Sequence, residues 1–421
     1  MKEIIINGID EKVYFKKFDN DFSLILYPTT KSKNFYITLT TDFGAMVTKY
    51  KDKEKIKEVI PGTAHFLEHK VCNLNDLKIA NELESLGTSV NAYTSYYGTT
   101  YNLYGNKDVL RNIEILFNRV YTFDLTEKSV ENEKSIIAQE ISMQKDLPGY
   151  IINNKLNKNL FSNTYIRNTV LGEVEDINKI NKEYLYEVYD DFYTPNNMFC
   201  VVTGNFDKDS VCKKVEELLK NIKKPNKKIA TVSEHENPEI NVNYEEIELN
   251  IMESKVWIAY KIPINNFKKS EVTKVINYLI IFLNILFSET SEFASHLKKD
   301  EIITGNISYN VVRCGEYLVM KVISSSCNNV GEFINRITSE VNNYKLDKND
   351  FDRKRKVFLS SYILSYEDIE NINDMLVLDY LKEKKVINDR YDRYKSYNFT
   401  ELKSILKKVD LSKKSIVVAH K

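Results

Sequence analysis

The chain has 421 residues, too many for one ordinary core, and its 60 Lys+Arg balance 60 Asp+Glu to give no net charge. With 43% apolar and 29% charged residues the composition is that of a soluble globular protein of two domains, and zero net charge argues against nucleic-acid binding. Residues Met1 to Tyr27 carry charges throughout and lack the apolar core of a signal peptide. The longest apolar run, Val275 to Phe287, is interrupted by Asn277 and Asn284 and falls short of the about twenty residues that span a bilayer. It reads as a buried core helix, so no membrane partner is expected. The five cysteines (Cys72, Cys200, Cys212, Cys314, Cys327) are scattered without a CxxC pair, which points to reduced thiols in a cytoplasm.

Taken in chain order, strand-like alternation runs over Phe22–Tyr27 and Asn34–Thr40 and ends near Gly44. A charged loop, Lys49 to Lys57, follows, and Pro61-Gly62-Thr63 signals a helix start. A second helix is predicted over Asn75–Leu86, stopped by Gly87; strands Ser89–Thr94 and Thr99–Tyr104 then flank a turn at Gly98. Helical spacing returns at Val109–Val120 and Glu127–Met143. A strand at Met198–Val202 and a helix at Asp209–Ile222 close this part. The next stretch is rich in charge and proline and is the best linker candidate, at 227–244. Beyond it the order repeats: strand Val256–Tyr260, the apolar helix near Val275, strands Ile307–Val311 and Tyr317–Ile323, helices, and a final strand Ser415–Ala419. The expectation is a duplicated α+β chain, with a first domain over 1–226 and a related second domain, lacking the motif described next, over 245–421.

The segment Thr63-Ala-His-Phe-Leu-Glu-His-Lys70 carries the chemistry. Helical periodicity puts His65 and His69, four residues apart, on one face, where two imidazoles can share a metal. Glu68 lies beside His69 and three residues from His65, placed to reach the hydrolytic water without itself ligating. This is the inverted zincin pattern HxxEH. A catalytic zinc needs a third protein ligand. Glu133 and Glu140, two helical turns apart, offer one, and the other is then free to hydrogen-bond behind the ligands. Two His and one Glu suit zinc best.

Here the sequence resembles the pitrilysin/insulinase metallopeptidase family. Gly62-Thr-Ala-His-Phe-Leu-Glu-His69 is similar to its G-x-A-H-x-x-E-H block, and Gly87-Thr-Ser-Val-Asn-Ala-Tyr-Thr94 to its G-x-x-x-N-A-x-T block. Glu133-Lys-Ser-Ile-Ile-Ala-Gln-Glu140, Phe192-Tyr-Thr-Pro-Asn-Asn-Met198 and Val202-Thr-Gly-Asn205 are similar to three further blocks in the same order. The bacterial two-domain branch is the nearest in pattern, and it implies two related domains, each a largely antiparallel sheet faced by helices. Carried over by position, the resemblance makes His65, His69 and Glu140 ligands of one zinc ion per chain, Glu68 the general base and Glu133 a supporting carboxylate. Asn91 and Ala92 become edge-strand residues that receive a peptide as an added strand.

One departure bears on partners. Many family members place an Arg and a Tyr, a few residues apart, in the second domain to grip the substrate, but Leu297 to Tyr309 contains no Arg before the Tyr. Tyr309 remains the candidate substrate contact, with Tyr317 beside it. The expected protein is therefore a zinc endopeptidase acting on short or unfolded peptides in a chamber, paired with a homologous chain that lacks the motif; a homodimer is the variant of this arrangement. The competing expectation is a subunit that binds or chaperones peptides without cutting them.

Overall fold

The computed structural model describes residues 1–71 and 77–421. Alternation in Phe35–Thr41 builds the centre of the first sheet: Phe35, Ile37 and Leu39 enter one apolar core, while Tyr36, Thr38 and Thr40 face the other way, and all are buried. The first unit comprises Met1–Ser142, Asn168–Val232 and Tyr362–Asp392. Its strands are β1 (Lys2–Ile6), β2 (Glu11–Lys17), β3 (Ser23–Pro28), β4 (Phe35–Thr41), β5 (Lys49–Asp52), β6 (Lys55–Glu58), β7 (Ser89–Thr94), β8 (Thr99–Gly105), β9 (Met198–Gly204) and β10 (Ile229–Thr231). Seven form a sheet in the order β1-β2-β3-β9-β4-β8-β7, antiparallel except for the β3–β9 pair. Strand β7 ends that order and so leaves one edge of its main chain unpaired within the sheet.

The second unit comprises Met143–Arg167, Ser233–Ser361 and Arg393–Lys421. Its strands, β11 (Tyr244–Glu248), β12 (Ser254–Pro263), β13 (Ile307–Cys314), β14 (Tyr317–Cys327) and β15 (Lys414–His420), pair in the order β11-β15-β12-β14-β13. That order repeats β3-β9-β4-β8-β7, including the single parallel pair at the same place. The duplication and the mixed α+β class are thus as expected from the sequence. The apolar helix Val272–Phe287 belongs to the core of this unit. The stretch Lys269–Phe287 is long and apolar enough to cross a bilayer by composition, yet Val275, Leu279, Phe282 and Leu286 are buried against the second sheet's core.

The units are interleaved rather than consecutive, which departs from a boundary at 227–244. In the first unit the hydroxyl-rich face of the sheet is covered by helix Ile369–Glu383. Asn373 donates to the carbonyls of Tyr36 and Val201 and accepts from Thr38 Oγ1 at 2.8 Å, and Thr203 Oγ1 donates to the Ile369 carbonyl. In the second unit the corresponding cover is helix Pro148–Leu160, whose Asn153 and Asn157 accept from the buried Lys321. Each half of the chain donates one helix to the other half's sheet. Periodicity reports which face of a helix is apolar, but not which sheet it covers.

Two local expectations are corrected. The charged stretch Lys49 to Lys57 is a hairpin, β5–β6, and it pairs with β10 in a three-stranded sheet. Tyr50 anchors it: the ring is buried and its hydroxyl donates to Asp191 at 2.6 Å, beside Lys57 and Lys227. The linker candidate is likewise partly built in, through β10 and through Glu236. That buried carboxylate accepts from the backbone N–H groups of Ser162, Asn163 and Thr164, each at 2.8 Å, and from the fully buried Lys261. Of the predicted helix Asn75–Leu86, the structure describes Leu77–Ser85; residues 72–76, including Cys72, lie outside the described residues. The other four cysteines are free and buried.

Candidate metal centre

The helix Thr63–Val71 starts where the chain turns at Gly62, whose φ is +88°. The left-handed backbone suits glycine, and the space demands it as well: a Cβ there would lie 2.4 Å from the Leu171 carbonyl oxygen. Thr63 Oγ1 donates to the Ile60 carbonyl at 2.6 Å, and the Tyr184 hydroxyl holds the Ile60 N–H at 2.9 Å, so the helix entry is fixed by polar contacts on both sides. Phe66 and Leu67 then bury completely and set the helix rotation. This rotation leaves His65 buried and His69 half-buried, with their ring centroids 4.5 Å apart.

Helix Glu127–Lys145 buries Val130, Glu133, Ile137 and Ile141, a stripe at helical spacing. Glu140 precedes the last of these and reaches both imidazoles: its Oε2 lies 3.5 Å from His65 Nε2 and 3.5 Å from His69 Nε2. Glu133, two turns earlier, accepts from His69 Nδ1 at 3.0 Å and from Lys70 Nζ at 3.0 Å. Bonded at Nδ1, His69 carries its proton there and leaves the Nε2 lone pair toward Glu140. His65 Nδ1 is buried and has no hydrogen-bond partner among the described residues. Glu68 Oε2 accepts from Thr94 Oγ1, on β7, at 2.6 Å.

The donor set fits zinc. With metal–ligand bonds of about 2.0–2.1 Å at a tetrahedral angle, neighbouring ligand atoms stand about 3.4 Å apart, close to the 3.5 Å observed between Glu140 and each imidazole. Among the described residues, this is the one group of three or more His, Cys, Asp or Glu side chains near enough together to hold an ion. Electrostatics agree. Burial disfavours a charged His69, yet Glu133, Glu68 and Glu140 together raise its pKa above the ordinary value. A spot where carboxylates favour imidazolium also favours a dication. Burial would raise the Glu133 carboxyl, but the hydrogen bonds from His69 and Lys70 hold it low; His65 does the same for Glu140 against a smaller burial cost.

Of the sequence-predicted residues, His65, His69, Glu68, Glu133 and Glu140 therefore come together. Asn91 and Ala92 lie on the edge strand β7, with Asn91 exposed and its Oδ1 accepting from the Ala92 N–H at 2.9 Å. Tyr309 lies on β13 of the second unit and is half-buried against that unit's core, while Tyr317 is buried with the Lys261 ammonium over its ring. Sequence reasoning gave no role to Lys70 or Thr94. Lys70 directly follows the second histidine, and Thr94 ends the Asn-Ala-Tyr-Thr run; position alone was the available signal.

Comparison with known proteins places this geometry. Residues 54–174 match the family described as Insulinase (Peptidase family M16), and residues 179–358 match the one described as Peptidase M16 inactive domain. The uncharacterized zinc protease YmfH of Bacillus subtilis (strain 168) is 30% identical over 316 residues, spanning 74% of this chain and 73% of the relative. The beta subunit of mitochondrial-processing peptidase from Bos taurus is 29% identical over 155 residues, 36% of this chain and 32% of that one. An M16-like peptidase from Alicyclobacillus acidocaldarius shares the fold with a TM-score of 0.91 at 23% identity, covering 97% of each chain. The ordered motifs, the duplicated sheet and a relative aligned over 74% of this chain lead to one assignment: the chain belongs to the M16, or insulinase, peptidase family.

Proposed function

We propose that this chain is a zinc-dependent endopeptidase and that His65, His69 and Glu140 hold the metal. The observation that carries this reading is the meeting of two imidazole Nε2 atoms and one carboxylate oxygen, with a separate carboxylate, Glu68, poised beside them. Zinc, when bound, supplies a Lewis acid that polarises a peptide carbonyl and acidifies water. The protein does the rest. Glu68 takes the proton from the attacking water and passes it to the leaving amine, so one carboxylate serves both halves of the hydrolysis. Glu133 keeps His69 in the tautomer that leaves Nε2 free. The open edge of β7, at Asn91 and Ala92, receives the substrate main chain as an added strand, which favours extended, unfolded peptides over folded proteins.

The absence of an Arg ahead of Tyr309 supports a shared site, in which this chain is the catalytic subunit of a dimer with a homologous chain that encloses the substrate in a chamber. Free, buried thiols suit a reducing compartment, and we place the protein in the cytoplasm. The test combines zinc content with cleavage of a mixed peptide library, alone and with a homologous chain. Wild type should bind zinc and cut. Glu68→Gln should bind zinc equally and lose turnover by orders of magnitude, and full turnover in that variant would remove Glu68 from the mechanism. Zinc without cutting in every combination would favour a peptide-binding role.

A further inference from the structure

The general base needs more than proximity, because a carboxylate on a flexible stem must present one oxygen along the path of the proton. We propose that Thr94 is a positioning residue that sets the orientation of the Glu68 carboxylate and ties it to the strand that receives the substrate. The inference rests on the peptidase reading above. Thr94 Oγ1 donates to Glu68 Oε2 at 2.6 Å, and Glu68 Oε1 carries no hydrogen bond among the described residues. One oxygen is thus held and the other left for proton transfer.

The hydroxyl is itself held by a built frame. Thr94 pairs with Thr99 across the β7–β8 hairpin, their hydroxyls 3.4 Å apart, and the buried Thr99 Oγ1 donates onward to the Phe43 carbonyl at 2.9 Å. The turn that follows is closed by Ser95, whose N–H donates to the Gly98 carbonyl and whose Oγ accepts from the N–H groups of Tyr97 and Gly98. The same turn is fastened to the preceding segment, since the Ser95 and Tyr96 carbonyls accept from the Ala45 and Met46 N–H groups. Thr94 therefore sits at the firmly anchored end of an edge strand.

That strand has two duties. Val90, Ala92 and Thr94 alternate onto one face, where Val90 and Ala92 pack on the core of the unit, while the outer edge of the main chain is open. Ala92 and Thr94 are separated by two strand residues, about 6.8 Å. A peptide registered on the edge at Ala92 is consequently registered against the base through one short, rigid length of backbone. A change in Thr94 should leave substrate docking in place and disturb the chemical step.

The experiment uses the full chain, with its homologous partner if cutting requires one, as wild type, Thr94→Val and Thr94→Ser. Valine keeps the volume and loses the donor; serine keeps the donor. Thr94→Val is expected to bind zinc normally, keep KM within about twofold and lose kcat ~10–100-fold, the scale of a misplaced reacting group. Thr94→Ser should recover most of kcat. Crystal structures of the two variants give a readout independent of turnover: the Glu68 carboxylate should rotate in the valine variant and hold its place in the serine variant. An unmoved Glu68 in Thr94→Val, or kcat as low in Thr94→Ser as in Thr94→Val, overturns the proposal. If the wild type cuts no peptide, the peptidase reading fails, and the position of Glu68 in the two crystals still decides what Thr94 does.

Discussion

Replacing Glu133 by Gln takes one charge, and almost no volume, from behind the metal centre. The carboxylate accepts from His69 Nδ1 at 3.0 Å and from Lys70 Nζ at 3.0 Å, with its side chain 12% exposed. A hydrogen bond to a charged group contributes ~1.5–3 kcal/mol and a neutral one ~1 kcal/mol, so the amide forfeits ~0.5–2 kcal/mol at His69. It also deprives the Lys70 ammonium, whose side chain is 7% exposed, of its counter-charge and leaves it the Ser129 carbonyl at 3.3 Å. Zinc affinity should fall about 10–100-fold, or ~1.4–2.7 kcal/mol, the usual cost of removing the group that orients a ligating histidine. The assay is a competition titration against a fluorescent zinc chelator, with thermal unfolding in EDTA to report the apo fold. Lys70→Met separates the two effects, because it leaves the His69–Glu133 bond intact: it should lower the melting temperature and keep zinc affinity within about threefold. A folded Glu133→Gln variant with wild-type zinc affinity would refute the claim that Glu133 orients His69.

Two further outcomes follow from contacts away from the metal ligands. Gly62→Ala forces a Cβ to 2.4 Å from the Leu171 carbonyl at a φ of +88°, and the entry to the motif helix must shift. A loss of at least ~2 kcal/mol is expected in a denaturant titration, and an unchanged midpoint would show that the turn is not constrained as described. Glu236 answers to pH. Burial opposes its charge, but the donors Ser162, Thr164, Asn163 and Lys261 bring the carboxyl down from 4.5 to about 2. A folded pKa below the unfolded one stabilises fully above the ordinary carboxylate range and loses that contribution as pH falls from 4.5 toward about 2. Glu236→Gln should therefore be much less stable than wild type at pH 7, and the gap should narrow at pH 4. A gap that stays the same at both pH values would mean that the charge of Glu236 contributes nothing.

What was legible in the sequence had short-range causes. Strands β3, β4, β7, β8 and β9 were visible because their alternation is local, and the motif helix because Pro61, Gly62 and two histidines at helical spacing mark it. Glu140 was reachable as one of two carboxylates on a single helix face. The remainder depended on partners far along the chain. Tyr50 makes a strand of a charged stretch only because Asp191 is there to receive its hydroxyl. Glu236 turns apparent linker into structure because three backbone donors from 162–164 converge on it. Thr38 lies on a buried strand face because Asn373, more than three hundred residues later, supplies the matching amide. A hydroxyl on a strand is compatible with water or with a covering helix, and the local pattern does not distinguish the two.

The exchange of helices between halves has a consequence for synthesis. By the time β9 leaves the ribosome, every strand of the seven-stranded sheet has emerged, but the helix that closes its hydroxyl face ends roughly 180 residues later, at Glu383. At about 5–20 residues per second this leaves the nascent sheet half-covered for some ~10–35 s. Throughout that interval the carbonyls of Tyr36 and Val201 and the hydroxyls of Thr38 and Thr203 lack their final partners. The polar character of this face then becomes an asset, since water can satisfy it while an apolar face of the same size would recruit other chains. The half that carries the HxxEH motif thus cannot mature ahead of the rest, and a ribosome that stalls in the second half releases a chain whose motif is complete and whose sheet is not.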